Sequence, residues 1–350
     1  MGMLTPEAGS QQRNTARGRC LPKAGLLLSL LASLLPIQTF AAVAQGTTKT
    51  ARVGILSTAP MSAPLSLPSF TAFLDHLRSL GWEQGRKLVI DARNTGGVPE
   101  VFAARAAELV ALSPDVIVAP NSQAVAAAVA QTATIPIVML NVSHPVEAGF
   151  INSLVSSGTN VTGTTNQMKD VDAKLTELLR EMRPGLERIG VIFTPGNAGS
   201  VLGLEQQTIA ARSYGVTVVP IPLNRPADLD GIPAILDRER PEALVVHAPP
   251  IISLNLQSIA KLAVERRLPT VGPFKYMVRS GLLMSYGPDA LDSWRSTAVY
   301  VDKLLRGASP SDLPIEQPNK FELVISLATA KALGIDVPPT LLARADEVIE

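Results

Sequence analysis

The chain writes almost the same strand twice. Residues 52–58 read RVGILST and residues 188–194 read RIGVIFT. Each is a short apolar run with one Gly and a closing Thr, the pattern of a strand buried on both faces. Strand and helix signals alternate around both copies. In the first half ARVGILS (51–57), KLVIDAR (87–93), DVIVA (115–119) and PIVML (136–140) are strand-like. Between them stand PSFTAFLDHLRSLG (68–81), PEVFAARAAELVAL (99–112) and SQAVAAAVAQTA (122–133), read as helices. In the first of these, Phe70, Phe73, Leu74, Leu77 and Leu80 share one face, Pro68 opens the helix and Gly81 closes it. A β-α-β-α-β-α-β order demands a parallel sheet with helices on both faces, because parallel neighbours need a crossover.

After residue 165 the order restarts. A helix (169–183) leads into RIGVIFT, followed by a helix (198–213), VTVVPI (216–221), a helix (227–239), ALVVHA (243–248), a helix (254–267) and PTVG (269–272). The echo extends beyond the opening strand. PDVIVAP (114–120) resembles PEALVVHAP (241–249), and TIPIVML (134–140) resembles RLPTVGP (267–273). Three matches in the same order predict two copies of one doubly wound α/β unit. The tail breaks the tandem: a short strand and turn (280–288), a helix (291–307), Pro-rich SPSDLPIEQPNK, the strand FELVISL (321–327), then short helices around Pro338-Pro339. It predicts that the chain revisits both lobes.

The first 44 residues read as a cleavable export signal. Arg13, Arg17, Arg19 and Lys23 precede the apolar stretch AGLLLSLLASLLPIQTF, and Ala42-Val43-Ala44 supplies the small-x-small pattern that signal peptidase accepts. The stretch is short and interrupted by Pro36, which argues against a retained anchor. The single cysteine, Cys20, precedes the apolar run, whereas the acylated cysteine of a lipoprotein follows it. The expectation is a periplasmic protein without disulfide or lipid anchor. With 31 Lys/Arg against 30 Asp/Glu and no basic block, nothing points to nucleic acid.

Catalytic and cofactor signatures are missing. There is no GxGxxG after a strand, no GxxxxGK[ST] and no GxSxG. TPGNAGS (194–200) opens a helix and resembles a tight turn as much as an anion cradle. Of the three histidines, His76 stands beside Asp75, and His144 and His247 have no Asp, Glu or second His at ligand spacing, so no metal or other cofactor is expected. His76 reads as part of a solvated helix face.

The polar residues instead collect where the strands end. Ser57 and Thr58, Asn121 and Ser122, and Asn141 to His144 follow strands of the first half; Thr194, Asn197, His247 and the Gly272-Pro273-Phe274 turn follow strands of the second. Ligands of open parallel sheets bind outside the carboxyl ends of the strands. Hydroxyls and amides there supply hydrogen bonds without a nucleophile or strong base. The bland alternative is that strand-end loops are polar because they meet water. Two similar lobes with polar loops on a shared crevice describe a binding protein that closes on a small molecule by a hinge.

The tail sharpens this reading. MSYGP (284–288), YVDKLLRG (300–307), DLPIEQPNKFELVI (312–325) and RADEVIE (344–350) resemble the C-terminal signature of the ABC-transporter substrate-binding family that includes the TrpX-type tryptophan-binding lipoproteins. RVGILST, PDVIVA, TIPIV, NVTGTT and RIGVIFT extend the resemblance over roughly 51–350. It implies a type I periplasmic-binding-protein fold: two Rossmann-like lobes joined by three crossings, here near 161–165, 274–280 and 310–318. Lobe one is then 51–161 plus 281–309, and lobe two 162–280 plus 310–350.

The resemblance further implies an amino acid or related ligand, an ABC permease as partner, and no catalysis. Phe274 and Tyr286 either wall an apolar ligand part or pack at the crossing. The family carries Asp-Pro-Val after its fourth strand, and here His144-Pro145-Val146 stands there. A neutral His supplies no negative charge for a ligand ammonium, so Glu147 or Asp289 is the expected substitute, or the ligand is not a standard amino acid. An exported sensor that signals to a membrane receptor fits the same residues, an exported enzyme fits them less well, and a monomer is expected of lobes that open and close.

Overall fold

The computed structural model describes residues 50–58, 67–166 and 168–350; the expected signal segment lies outside the described residues. The first half folds as β1 (Ala51–Ser57), α1 (Leu67–Ser79), β2 (Leu88–Asn94), α2 (Pro99–Ala111), β3 (Val116–Ala119), α3 (Ser122–Gln131), β4 (Ile137–Val142) and β5 (Val161–Thr165). The second half runs α4 (Met168–Met182), β6 (Arg188–Phe193), α5 (Ala198–Ser213), β7 (Thr217–Pro222), α6 (Ile232–Glu239), β8 (Ala243–Val246), α7 (Pro250–Leu254), α8 (Leu256–Glu265), β9 (Thr270–Gly272), α9 (Lys275–Arg279) and β10 (Met284–Pro288). The tail adds α10 (Ala290–Leu305), β11 (Phe321–Ser326), α11 (Leu327–Leu333), α12 (Pro339–Leu342) and β12 (Glu347–Ile349).

Two sheets result. The first has the order β2-β1-β3-β4-β5, and the second β7-β6-β8-β9-β10-β11-β12. Renumbered from its own first strand, the second begins 2-1-3-4-5, the order of the first. The duplication in the sequence is therefore a duplication of topology. All described ladders are parallel except β10 with β11.

The strands are buried on both faces, and alternate residues serve different cores. In β1, Leu56 packs with α2 and α3 residues, while Val53 and Ile55 face Phe73 and Leu77 of α1. In β8, Ala243 and Val245 face one core and Leu244 and Val246 the other. This is the two-residue side-chain period of a strand between two helix layers.

The crossings differ from expectation. NVTGTT does not form a hinge: β5 pairs with β4, so the first crossing follows residue 165. β10 does not join the first lobe: it is the fifth strand of the second sheet, paired with β9 and β11. Only its helix returns. Ala298, Tyr300, Val301 and Leu304 of α10 share a core with Val53, Ile55 and Phe73. The second crossing is thus the turn at Asp289. Residues 310–316 also stay on the first lobe, where Ile315 donates to Leu154 O and Glu316 bridges Thr164. The third crossing therefore lies at 317–320.

The physical reason is symmetry. Each half makes five strands and sends its next helix to the other lobe. After β5, α4 packs Val171, Leu175 and Leu178 against the second sheet, and after β10, α10 covers the first. β12 at the closing RADEVIE and α9 are further elements that periodicity did not reveal.

Candidate functional site

Both lobes turn the carboxyl ends of their strands toward one cavity of about 250 Å³. From the first lobe come Ser57 and Thr58 at the end of β1, Asn121 and Ser122 after β3, Asn141 and Ser143 from β4 and its end, Asn166 after β5, and Trp294 of α10. From the second come Asn197, Gly199 and Ser200 after β6, His247 to Pro250 after β8, Ser253 and Leu254 of α7, and Phe274 and Tyr276 after β9. The connections that leave strands 1 and 3 of a 2-1-3-4-5 sheet run in opposite directions, and a crevice opens at that switch point. The strand-end residues of β1, β3, β6 and β8 meet there because both lobes share this order.

Local chemistry fixes the polar lining. Asn121 caps α3, its Oδ1 accepting from Ala124 N at 2.9 Å, and Asn197 caps α5, its Oδ1 accepting from Ser200 N at 2.8 Å. Each cap satisfies one orphan amide and directs a helix N-terminus at the cavity. Asn141 sits at φ 51°, where β4 slips register against β5 between Met139 and Val142. That bulge turns the end of β4 inward. Asn166 Nδ2 donates to Asn141 O at 3.2 Å and Ser143 Oγ at 3.3 Å.

His247 is 3% exposed. Its Nδ1 lies 3.3 Å from Ser200 Oγ, and its Nε2 has no partner among the described residues. Burial, with the nearby His144 second, pushes its pKa down to about 4. The ring is neutral at pH 7 and a weak base. Ser200 Oγ already accepts from Thr194 N at 3.0 Å. Among the described residues no acid partners His247 Nε2, so Ser200 and His247 have no orienting third group there.

The lining also carries aromatic rings. Phe274 and Tyr276 stack with centroids 5.7 Å apart, and the Tyr276 hydroxyl meets Ser253 Oγ at 3.0 Å. Burial raises the Tyr276 pKa. The lobes touch around the cavity: a Cβ on Gly199 would lie 2.7 Å from Ser122 Oγ and 3.4 Å from Ser143 O. Only a residue without a side chain allows α5 to approach α3 this closely.

Of the expected residues, Ser57, Thr58, Asn121, Ser122, Asn141, Asn197, His247 and Phe274 are brought together in the cavity lining. Tyr286 is not; it stacks on Phe321 at 5.8 Å in the second lobe's core, because β10 belongs to that sheet. His144 is not either. It turns away at φ 50°, 7% exposed, with Nε2 3.9 Å from Asp172 Oδ2 of α4. Neither expected substitute acid lines the cavity: Glu147 is exposed, and Asp289 caps α10 through Leu291 N at 2.7 Å.

Sequence reasoning missed Asn166, Ser200, Ser253, Tyr276 and Trp294. The strand-end rule finds Asn166 once NVTGTT is read as a strand. Trp294 required knowing that α10 returns. Among the described residues no group of three or more His, Cys, Asp and Glu is placed to hold a metal ion, and no helix is long and apolar enough to cross a membrane.

Comparisons with known proteins agree with this architecture. A tyrosine-binding protein of Clostridioides difficile is 27% identical over 264 residues, 75% of each chain. Among solved structures, a conserved domain protein from Vibrio cholerae superposes with a TM-score of 0.79 at 28% identity, covering 86% of this chain and all of that one. The ABC domain in complex with L-Trp from Streptococcus pneumonia gives 0.77 at 24% identity over the same shares. The fold is that of the type I periplasmic binding proteins. The family model described as ABC transporter substrate binding protein matches residues 55–349, and the chain belongs to that family.

Proposed function

We propose that this protein is the solute-binding component of an ABC importer, working in the periplasm after export and delivering its ligand to an inner-membrane permease. The ligand is a small polar organic molecule of amino-acid size, enclosed when the lobes close about their crossings. One observation carries the reading: a single cavity receives strand-end polar residues from both lobes, so a bound molecule is shared between bodies that move apart. The relatives named for tyrosine binding and bound to L-Trp support the size class. A binding role without catalysis is supported by the residue types, amides, hydroxyls and one neutral imidazole, none an activated nucleophile.

A thermal-shift panel of amino acids, aromatic acids, small carboxylates and nucleosides tests it, using protein dialysed free of co-purified ligand. A true ligand at about a hundred times its Kd adds about 2.7 kcal/mol and raises Tm by a few degrees. Silence across the whole panel would overturn the reading.

A further inference from the structure

We infer that the cavity takes a small organic carboxylate carrying a neutral hydrogen-bond donor, such as a hydroxyl, where an amino acid carries its ammonium. This rests on the binding reading above and narrows it to a ligand class.

The first support is the charge inventory. Among the described residues the lining contains no Asp, Glu, Lys or Arg. Asp289 is engaged as the cap of α10, Glu147 faces solvent, and Asp172 stands against His144 outside the lining. An ammonium closed into this space has no counter-ion, and burying an unpaired charge is strongly unfavourable.

The second is the direction of the fixed dipoles. Helices α3 and α5, ten and sixteen residues long, begin in the lining from opposite lobes. After the Asn121 and Asn197 caps take one amide each, the first-turn N–H groups of Ser122, Gln123, Ala198 and Gly199 have no intrahelical acceptor. Two positive helix ends on one desolvated cavity favour an anion and oppose a cation.

The third is the set of buried, unpartnered side-chain atoms that line the cavity. Thr194 N donates to Ser200 Oγ, and that hydroxyl pairs with His247 Nδ1 at 3.3 Å. Its buried Nε2 has no partner among the described residues, and in the tautomer protonated there it is a donor for a carboxylate. Asn166, 3% exposed, spends its amide protons on Asn141 O and Ser143 Oγ, which leaves Oδ1 as a free acceptor. Asn141 Oδ1 is likewise unpartnered. These oxygens accept from a ligand O–H, yet as neutral amides they do not offset a full positive charge.

Calorimetry on matched probes tests the class: 3-phenyllactate, 3-phenylpropionate and L-phenylalanine, with 2-hydroxyisocaproate and L-leucine as the aliphatic pair. Each hydroxy acid is expected to bind at least about tenfold tighter than the amino acid with the same side chain. Asn141→Asp, which adds a carboxylate at a position whose backbone Asp tolerates, is expected to reverse that order. Amino acids binding as tightly as the hydroxy acids overturn the class and leave the binding reading standing. No binding by any of the five overturns the class; the broader panel described above then decides whether the binding reading falls with it.

Discussion

At the scale of single residues, the least ordinary feature is Asp172. It is completely buried, both carboxylate oxygens lack a hydrogen-bond partner among the described residues, and its nearest opposite group is His144 at 3.9 Å across the lobes. Burial raises its pKa from 3.8 to about 6, with His144 pulling the other way. A raised carboxyl holds its proton in the folded state after the unfolded chain has released it. Its contribution to stability is therefore lost as pH rises from about 4 to about 6. His247 acts in the opposite sense: with its pKa lowered from 6.5 to about 4, the unfolded state takes up the proton first, and stability falls as pH drops through that window. Asp172→Asn removes the first effect alone. The variant should be more stable than the parent at pH 7.5 by roughly 3 kcal/mol and equal to it near pH 4. Urea melts at the two pH values check this, and an equal difference at both would remove charge burial as the cause. Nothing in the local sequence around Asp172 marks it as special, because its burial depends on a helix crossing to the other lobe.

At the scale of elements, the bulge of β4 against β5 shapes the site. Met139 pairs with Gly163 and Val142 with Thr165, so one extra residue is accommodated on β4. Thr165 Oγ1 donates to Val142 O at 2.7 Å, and Asn141 N donates to Thr164 Oγ1 at 3.1 Å, holding the bulge closed. Gly163 makes this possible. Its φ is 124°, and a Cβ there would lie 2.1 Å from Met139 O. Gly163→Ala must shift backbone, and should cost roughly 2–4 kcal/mol while weakening ligand binding, read by denaturant titration and calorimetry. A neutral substitution would mean that the strand pair is pliant. Most elements were legible because their apolar residues repeat with a period of two or of 3.6. β5 escaped because VTGTT is polar and glycine-containing, and β12 because three residues cannot establish a period.

At the scale of the whole molecule, the lobes meet where Gly199 faces Ser122, and closure is the motion that the proposed function requires. Gly199→Val places bulk against Ser122 and Ser143 only when the lobes are together. It should weaken ligand binding by at least about tenfold while leaving the ligand-free Tm close to the parent's; a large fall in that Tm would show that the contact also holds the open form. By itself the sequence determined a duplicated, doubly wound α/β chain whose polar residues follow its strands, because periodicity, repeat order and strand ends are local properties. Tertiary structure alone decided which strand-end residues converge, that His144 and Tyr286 turn away, that β10 stays in the second sheet while α10 leaves it, and that no acid lines the described cavity. Those outcomes depend on contacts between segments distant along the chain, α10 against β1 among them, and no local window contains them.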